Sequence, residues 1–137
     1  MTKQSGLGWT TLTLDDAGGT PRSIINDVSN MTMSFPRATQ DVTGMDKLAF
    51  ERLLLLADCS GQLNAPAFNP GATTGFHQVC KTIPSSSVVR TLAIAIASQS
   101  ISNEVICTDY QLSRAADGSF PATVPYVLAD GSVPSWS

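Results

Sequence analysis

Along most of this chain apolar and polar residues alternate with a period of two, the mark of half-buried β-strands. Trp9–Leu14 sets Leu12 and Leu14 against Thr11 and Thr13, and the Asp/Gly/Pro-rich run Asp15–Pro21 turns the chain back. Ile24-Ile25 open a second extended segment. Met31, Met33 and Phe35 alternate with Thr32 and Ser34 until Pro36 closes the strand. Gln62–Phe68, Phe76–Ile83, Glu104–Leu112 and Phe120–Leu128 read as further strands, the last marked as an edge or a bulge by Pro121 and Pro125. The strongest signal is Val88–Ala97. Its Leu92 and Ile94 face opposes Ala93 and Ala95, which predicts a strand covered on both sides, with a close layer against the alanines.

One stretch breaks the period. Wound at about 100° per residue, Asp41–Cys59 gathers Met45, Ala49, Phe50, Leu53, Leu56 and Ala57 on one arc, which predicts a core-facing helix over about residues 44–58. Thr43 followed by Asp46 resembles a capping box, and Ser60-Gly61 supplies the stop. Lys47 and Glu51 sit i,i+4 on the opposite side. Leu48 and Leu55 share a third sector with Arg52. Two readings stay open for these leucines: ordinary surface or wider core contact, or contact with a neighbouring subunit.

Together these elements give an α+β fold, mainly antiparallel: a β-sandwich or half-barrel of about seven strands with one flanking helix. The length of 137 residues fits a single domain, 1–137. No window reaches the ~20 apolar residues of a membrane-spanning helix. The N-terminal MTKQSGLGW lacks the features of a secretory signal, so folding in the cytosol is expected.

Charge removes one class of function. Eight Lys and Arg, spread singly, against eleven Asp and Glu leave a net charge of −3, unsuited to gripping nucleic acid. Chemistry is sparse as well. Cys59, Cys80 and Cys107 are widely spaced, and no Cys-x-x-Cys pair supports zinc alongside His77, the single histidine. Asp15 and Asp16 lie in a turn and are not placed as a catalytic pair. There is no phosphate-binding loop and no nucleophile elbow. The expectation is a protein that is not an enzyme and uses no cofactor or metal. Trp136, so near the end of the chain, should dock on its own domain or on a neighbour.

The runs GWTTLTLDDAGGTPRSIINDVSN, PRATQDVTGMDKLAFERLLLLAD and DYQLSRAADGSFPATVPYVLADGSVPSW resemble the tail tube (major tail) proteins of long non-contractile bacteriophage tails, above all those of phages infecting actinobacteria. The resemblance covers nearly the whole chain and lies in the order and spacing of its parts. The DVTG-x-DK run and the two Ala-Asp-Gly-Ser turns are the most distinctive. It implies a tail tube fold and hexameric rings whose inner sheets join into a barrel. The rings would stack around a tape-measure protein, bounded by tail terminator and distal tail proteins, and later conduct double-stranded DNA. The place implied is the virion tail, assembled in the host cytoplasm. Leu48, Arg52, Leu55 and Trp136 become candidate interface residues, and lumen-facing positions should be Thr, Ser, Asn, Gln and acidic. A terminator or connector ring, or a monomeric β-sandwich binding module, are the alternatives.

Overall fold

In the computed structural model, which describes residues 3–137, the elements run β1 (Trp9–Asp15), β2 (Pro21–Ser23), β3 (Asn30–Ser34), β4 (Arg37–Asp41), β5 (Arg52–Ala57), β6 (Ser60–Ala65), α1 (Phe76–Cys80), β7 (Arg90–Ile96), β8 (Gln99–Cys107), β9 (Gln111–Leu112) and β10 (Ala122–Leu128). Two 3-10 turns, Gly6–Gly8 and Ile83–Ser85, complete them. The fold is mainly antiparallel β with one short helix. Eight strands form one sheet in the order β2-β1-β7-β8-β10-β6-β3, with β9 added on β10; β4 and β5 form a separate pair.

The period of two dictates what the large sheet buries. One face carries Leu12 and Leu14, Arg90, Leu92 and Ile94, Ile101 and Val105, Val124 and Tyr126, and Leu63 and Ala65, all buried. Trp9 and Leu12 of β1 line the same small cavity as Met31 of β3, from near opposite ends of the strand order. The sheet therefore curls around its own core as a half-barrel. Gly61 permits one close approach: a Cβ there would stand 1.9 Å from the Thr32 carbonyl oxygen, which also accepts the Tyr126 hydroxyl at 3.0 Å.

The helix lies elsewhere than the sequence pattern predicts. Phe76–Ile83, expected as a strand, holds α1 and the start of a 3-10 turn. Its buried residues Phe76, Val79, Cys80 and Ile83 follow the i, i+3, i+4, i+7 spacing of a helix face. The cap is remote in sequence: Asp27 Oδ2 accepts the Phe76 amide at 2.9 Å, and Asp27 Oδ1 accepts the Asn69 side chain at 2.9 Å. Arg90 anchors the other end of the helix. Its buried guanidinium donates to the carbonyls of Val79 (2.5 Å) and Asp15 (3.1 Å) and to the Thr82 hydroxyl (3.0 Å), which satisfies donors that burial would otherwise leave costly.

Asp41–Cys59, expected as the core-organising helix, is not helical. β4 and β5 pair as a hairpin, and the arc of Met45, Phe50, Leu53 and Leu56 is exposed rather than buried. The residues expected to cap a helix cap a loop instead. Asp41 Oδ1 accepts the Thr43 amide (3.0 Å) and hydroxyl, and Thr43 Oγ1 accepts the Glu51 amide at 2.9 Å, so the side chains pin the two ends of the connection together. The segment supplies β5, and β4 comes from the stretch just before it that was expected as a loop, so the count of about seven strands left both out.

Two smaller expectations also change. The strand read as Glu104–Leu112 begins earlier, at Gln99, because Ala97 and Ser98 take positive φ (49° and 73°) and form a two-residue turn from β7 to β8. The alanine face of β7 meets no second sheet among the described residues: Ala93 and Ala95 remain half-exposed, in a hollow that Ser135 and Ser137 of the C-terminal tail also line.

Candidate assembly surfaces

Three surfaces stand out, and the first is the β4–β5 hairpin. Gln40 registers with Leu53 and Thr39 with Leu54, so successive leucines of β5 fall on opposite faces of the pair. Among the described residues neither face is covered, and both expose leucine. Leu56 is 86% exposed, Leu54 65% and Phe50 70%, while Met45 and Leu48 in the connecting loop are fully exposed. The Arg52 guanidinium lies 4.7 Å from the centroid of the Phe50 ring. At the root, Asp58 donates its amide to the Pro36 carbonyl at 2.9 Å, and Arg37 Nε donates to the Leu55 carbonyl at 3.0 Å. So much contiguous apolar surface on a strand pair is the mark of an interaction site.

Leu48, Arg52 and Leu55 do not share a helical sector. Leu48 sits in the loop, while Arg52 and Leu55 belong to β5. All three lie on the hairpin. Trp136 joins them near its root: its ring packs edge-on against Phe35, centroids 6.2 Å apart, immediately before β4, and stays 42% exposed. The tail is held by Ser137, whose amide donates to the Ser100 carbonyl at 2.9 Å. The run of four leucines could have signalled this surface, since no single helical stripe accommodates Leu53–Leu56 together.

The second surface is the outward face of the curled sheet. The registers assign to it Thr11, Thr13 and Asp15 of β1, Thr91, Ala93 and Ala95 of β7, and Ser100, Ser102, Glu104 and Ile106 of β8. Thr123, Pro125 and Val127 of β10, Ser60, Gln62 and Asn64 of β6, and Asn30, Thr32 and Ser34 of β3 continue it. None of the chain's lysines or arginines is among these positions. Arg22 registers with Leu14 on the other face and pairs with Asp16 at 3.0 Å. Polar side chains link the strands across the outward face: Asn64 donates to Asn30 Oδ1 at 2.6 Å and Thr123 to Asn64 Oδ1 at 3.0 Å.

The third region holds the titratable and nucleophilic side chains. His77 Nδ1 lies 3.0 Å from the Tyr110 hydroxyl, and the His77 ring packs on Phe68 with centroids 4.6 Å apart. Burial, with neighbouring Cys80, pushes the Tyr110 phenol up to about 12. Burial pushes the Cys80 thiol up to about 12 and that of Cys107 up to about 11, and with Asp58 it raises that of Cys59. All three cysteines are buried free thiols, held neutral and poorly nucleophilic. Asp16 caps its own turn: the Thr20 amide and Arg22, aided by the Gly18 amide, hold its carboxyl below the usual range. Among the described residues no group of three or more His, Cys, Asp or Glu side chains could hold a metal ion.

The fold recurs in solved structures. A chain in the tail of an empty gene transfer agent particle, computed with helical refinement and C6 symmetry, superposes with a TM-score of 0.75 over 98% of both chains at 17% identity. The chain shares that tail chain's fold. A chain in the virion of a native gene transfer agent particle gives 0.74 at 16% identity, covering 98% of this chain and 99% of its own. No family model matches the sequence, and no curated protein sequence matches it either.

Proposed function

We propose that this chain is a structural tail protein of a virus-like particle or bacteriophage of the siphovirus kind, a single-domain subunit of the tail tube. Six copies close into a ring, and rings stack into a tube that encloses a tape-measure protein and later conducts double-stranded DNA. Terminator and distal tail proteins bound the tube, and the virion tail, built in the host cytoplasm, is its place. The observation that carries this reading is the end-to-end match to a chain of a C6-symmetric tail.

Two features of the molecule support it. The outward sheet face has no cation, as a conduit requires: lysines and arginines there would hold phosphates and resist sliding. The hairpin offers apolar surface that only another molecule can cover, and a closed ring needs such heterologous contacts. Leu48, Arg52, Leu55 and Trp136 are assigned to that interface, and no step of the function needs a catalytic residue. Negative-stain microscopy of the purified chain tests the reading. Tubes of stacked six-fold rings are expected. Single isolated rings would point to a terminator or connector, and a strict monomer at high concentration would overturn the tube.

A further inference from the structure

We propose that Asp130 is a self-modification site: its side chain closes on the Gly131 amide to a cyclic imide that opens to an isoaspartyl linkage, while the identical Asp117-Gly118 pair stays largely intact. The inference goes beyond the tube reading and does not depend on it.

The chain holds two Asp-Gly pairs, each inside the same Ala-Asp-Gly-Ser run. Glycine leaves the amide that follows an aspartate without a side chain to shield it. Every other aspartate precedes a residue that carries one. Both pairs are exposed, and both glycines take positive φ, 95° at Gly118 and 76° at Gly131. Sequence, exposure and glycine conformation do not tell the two apart. The amides do.

Gly118 donates its amide to the Ala115 carbonyl at 3.0 Å, and the Ala115 amide donates to the Ser119 carbonyl at 2.9 Å, so the β9–β10 turn closes around the first pair. Asp117 Oδ1 also accepts the Ser119 amide (3.0 Å) and hydroxyl (2.8 Å), which hold its carboxyl below the usual range. A carboxylate kept ionised is a poor electrophile. The second pair is open. Among the described residues the Gly131 amide has no acceptor, and the tail makes no backbone–backbone bond between the Ala129 amide, on the Glu104 carbonyl at 2.9 Å, and the Ser137 amide, on the Ser100 carbonyl at 2.9 Å. Asp130 Oδ1 accepts the Ser132 amide at 3.0 Å, with no hydroxyl beside it. Gly131 can therefore swing onto Asp130 without breaking a backbone–backbone hydrogen bond.

The step balances within the chain and water. The Gly131 nitrogen bonds to Cγ of the protonated Asp130 carboxyl, the Cγ–OH bond breaks, and the amide proton leaves with the hydroxyl as water. Water then opens the five-membered imide. Breaking the bond from nitrogen to Cγ restores aspartate; breaking the bond to the main-chain carbonyl carbon routes the chain through Cγ and leaves isoaspartate. The two pairs differ by about one hydrogen bond at the attacking amide, so Asp130 should react on the order of tenfold faster than Asp117.

The test ages the full chain in neutral buffer at physiological temperature, folded and in urea. Trypsin cuts after Arg114 and leaves both pairs on one fragment beginning at Ala115, where electron-transfer fragmentation distinguishes isoaspartate from aspartate at each position. The folded chain should accumulate isoaspartate at Asp130 on the order of tenfold over Asp117, and urea should bring the two close to equality. Equal accumulation in the folded chain, or a preference that urea leaves unchanged, would overturn the inference. Asp130→Glu, which would have to close a six-membered ring, should remove most of the signal from an isoaspartyl methyltransferase assay with S-adenosylmethionine; an undiminished signal would place the reaction elsewhere.

Discussion

Leu14 in β1 and Leu54 in β5 are the same side chain on the same kind of element, yet one is fully buried and the other 65% exposed. The neighbours explain the difference. β1 alternates leucine with threonine, so one face enters the core and the other meets water. β5 places leucine on both faces, so burying either face on the chain's own core would leave the other wet. The curled sheet buries its leucine face within the chain, whereas both faces of the hairpin leave leucine exposed. Burial at about 25 cal/mol per Å² of apolar surface supplies the drive in both places; only the source of the covering surface differs.

The comparison breaks most sharply if the hairpin is charged. Leu48→Asp together with Leu55→Asp should leave a folded monomer, its stability within about 0.5 kcal/mol per site of the parent, that forms no tubes by microscopy or sedimentation. A double variant that fails to fold would show that these leucines belong to the core of the free chain.

A pair of single truncations then measures the contrast directly. Leu14→Ala should cost about 2–5 kcal/mol in urea unfolding of the monomer, the range for a fully buried leucine. Leu53→Ala should cost less than about 1 kcal/mol there and weaken assembly instead. Similar losses at both positions would mean that the hairpin leucines are buried in the free subunit.

The sheet was legible because its code is local: alternation in Trp9–Leu14, Met31–Phe35 and Val88–Ala97 names strands and core face alike. What escaped the sequence depended on remote partners. α1 is capped by Asp27, 49 positions before Phe76, and anchored by Arg90, so its short i, i+3, i+4, i+7 pattern carried little local weight. At Asp41–Cys59 the periodicity was genuine, but no surface of the chain's own sheet receives that arc, and Asp41 with Thr43 staples the loop instead. Leu48 and Leu55 stood out beside Arg52 on a sector where polar residues were expected; in the structure all three lie on the hairpin, and their interface role stays a proposal.

The smallest effect separates the two regions most finely. Ala97 and Ser98 turn β7 into β8 with φ of 49° and 73°, a left-handed conformation that Asn and Gly adopt more readily than Ala and Ser. Ala97→Asn with Ser98→Gly keeps the Ala97 amide, which donates to the Gly8 carbonyl at 3.2 Å, and relieves the backbone. Monomer stability should rise by about 0.5–1 kcal/mol, read as a higher urea midpoint at unchanged slope. The turn lies in the curled sheet and touches neither β4 nor β5, so the critical concentration for tube formation should stay where it was. Were it to shift with the urea midpoint, the sheet and the hairpin would be energetically coupled, and the division of labour between them would have to be redrawn.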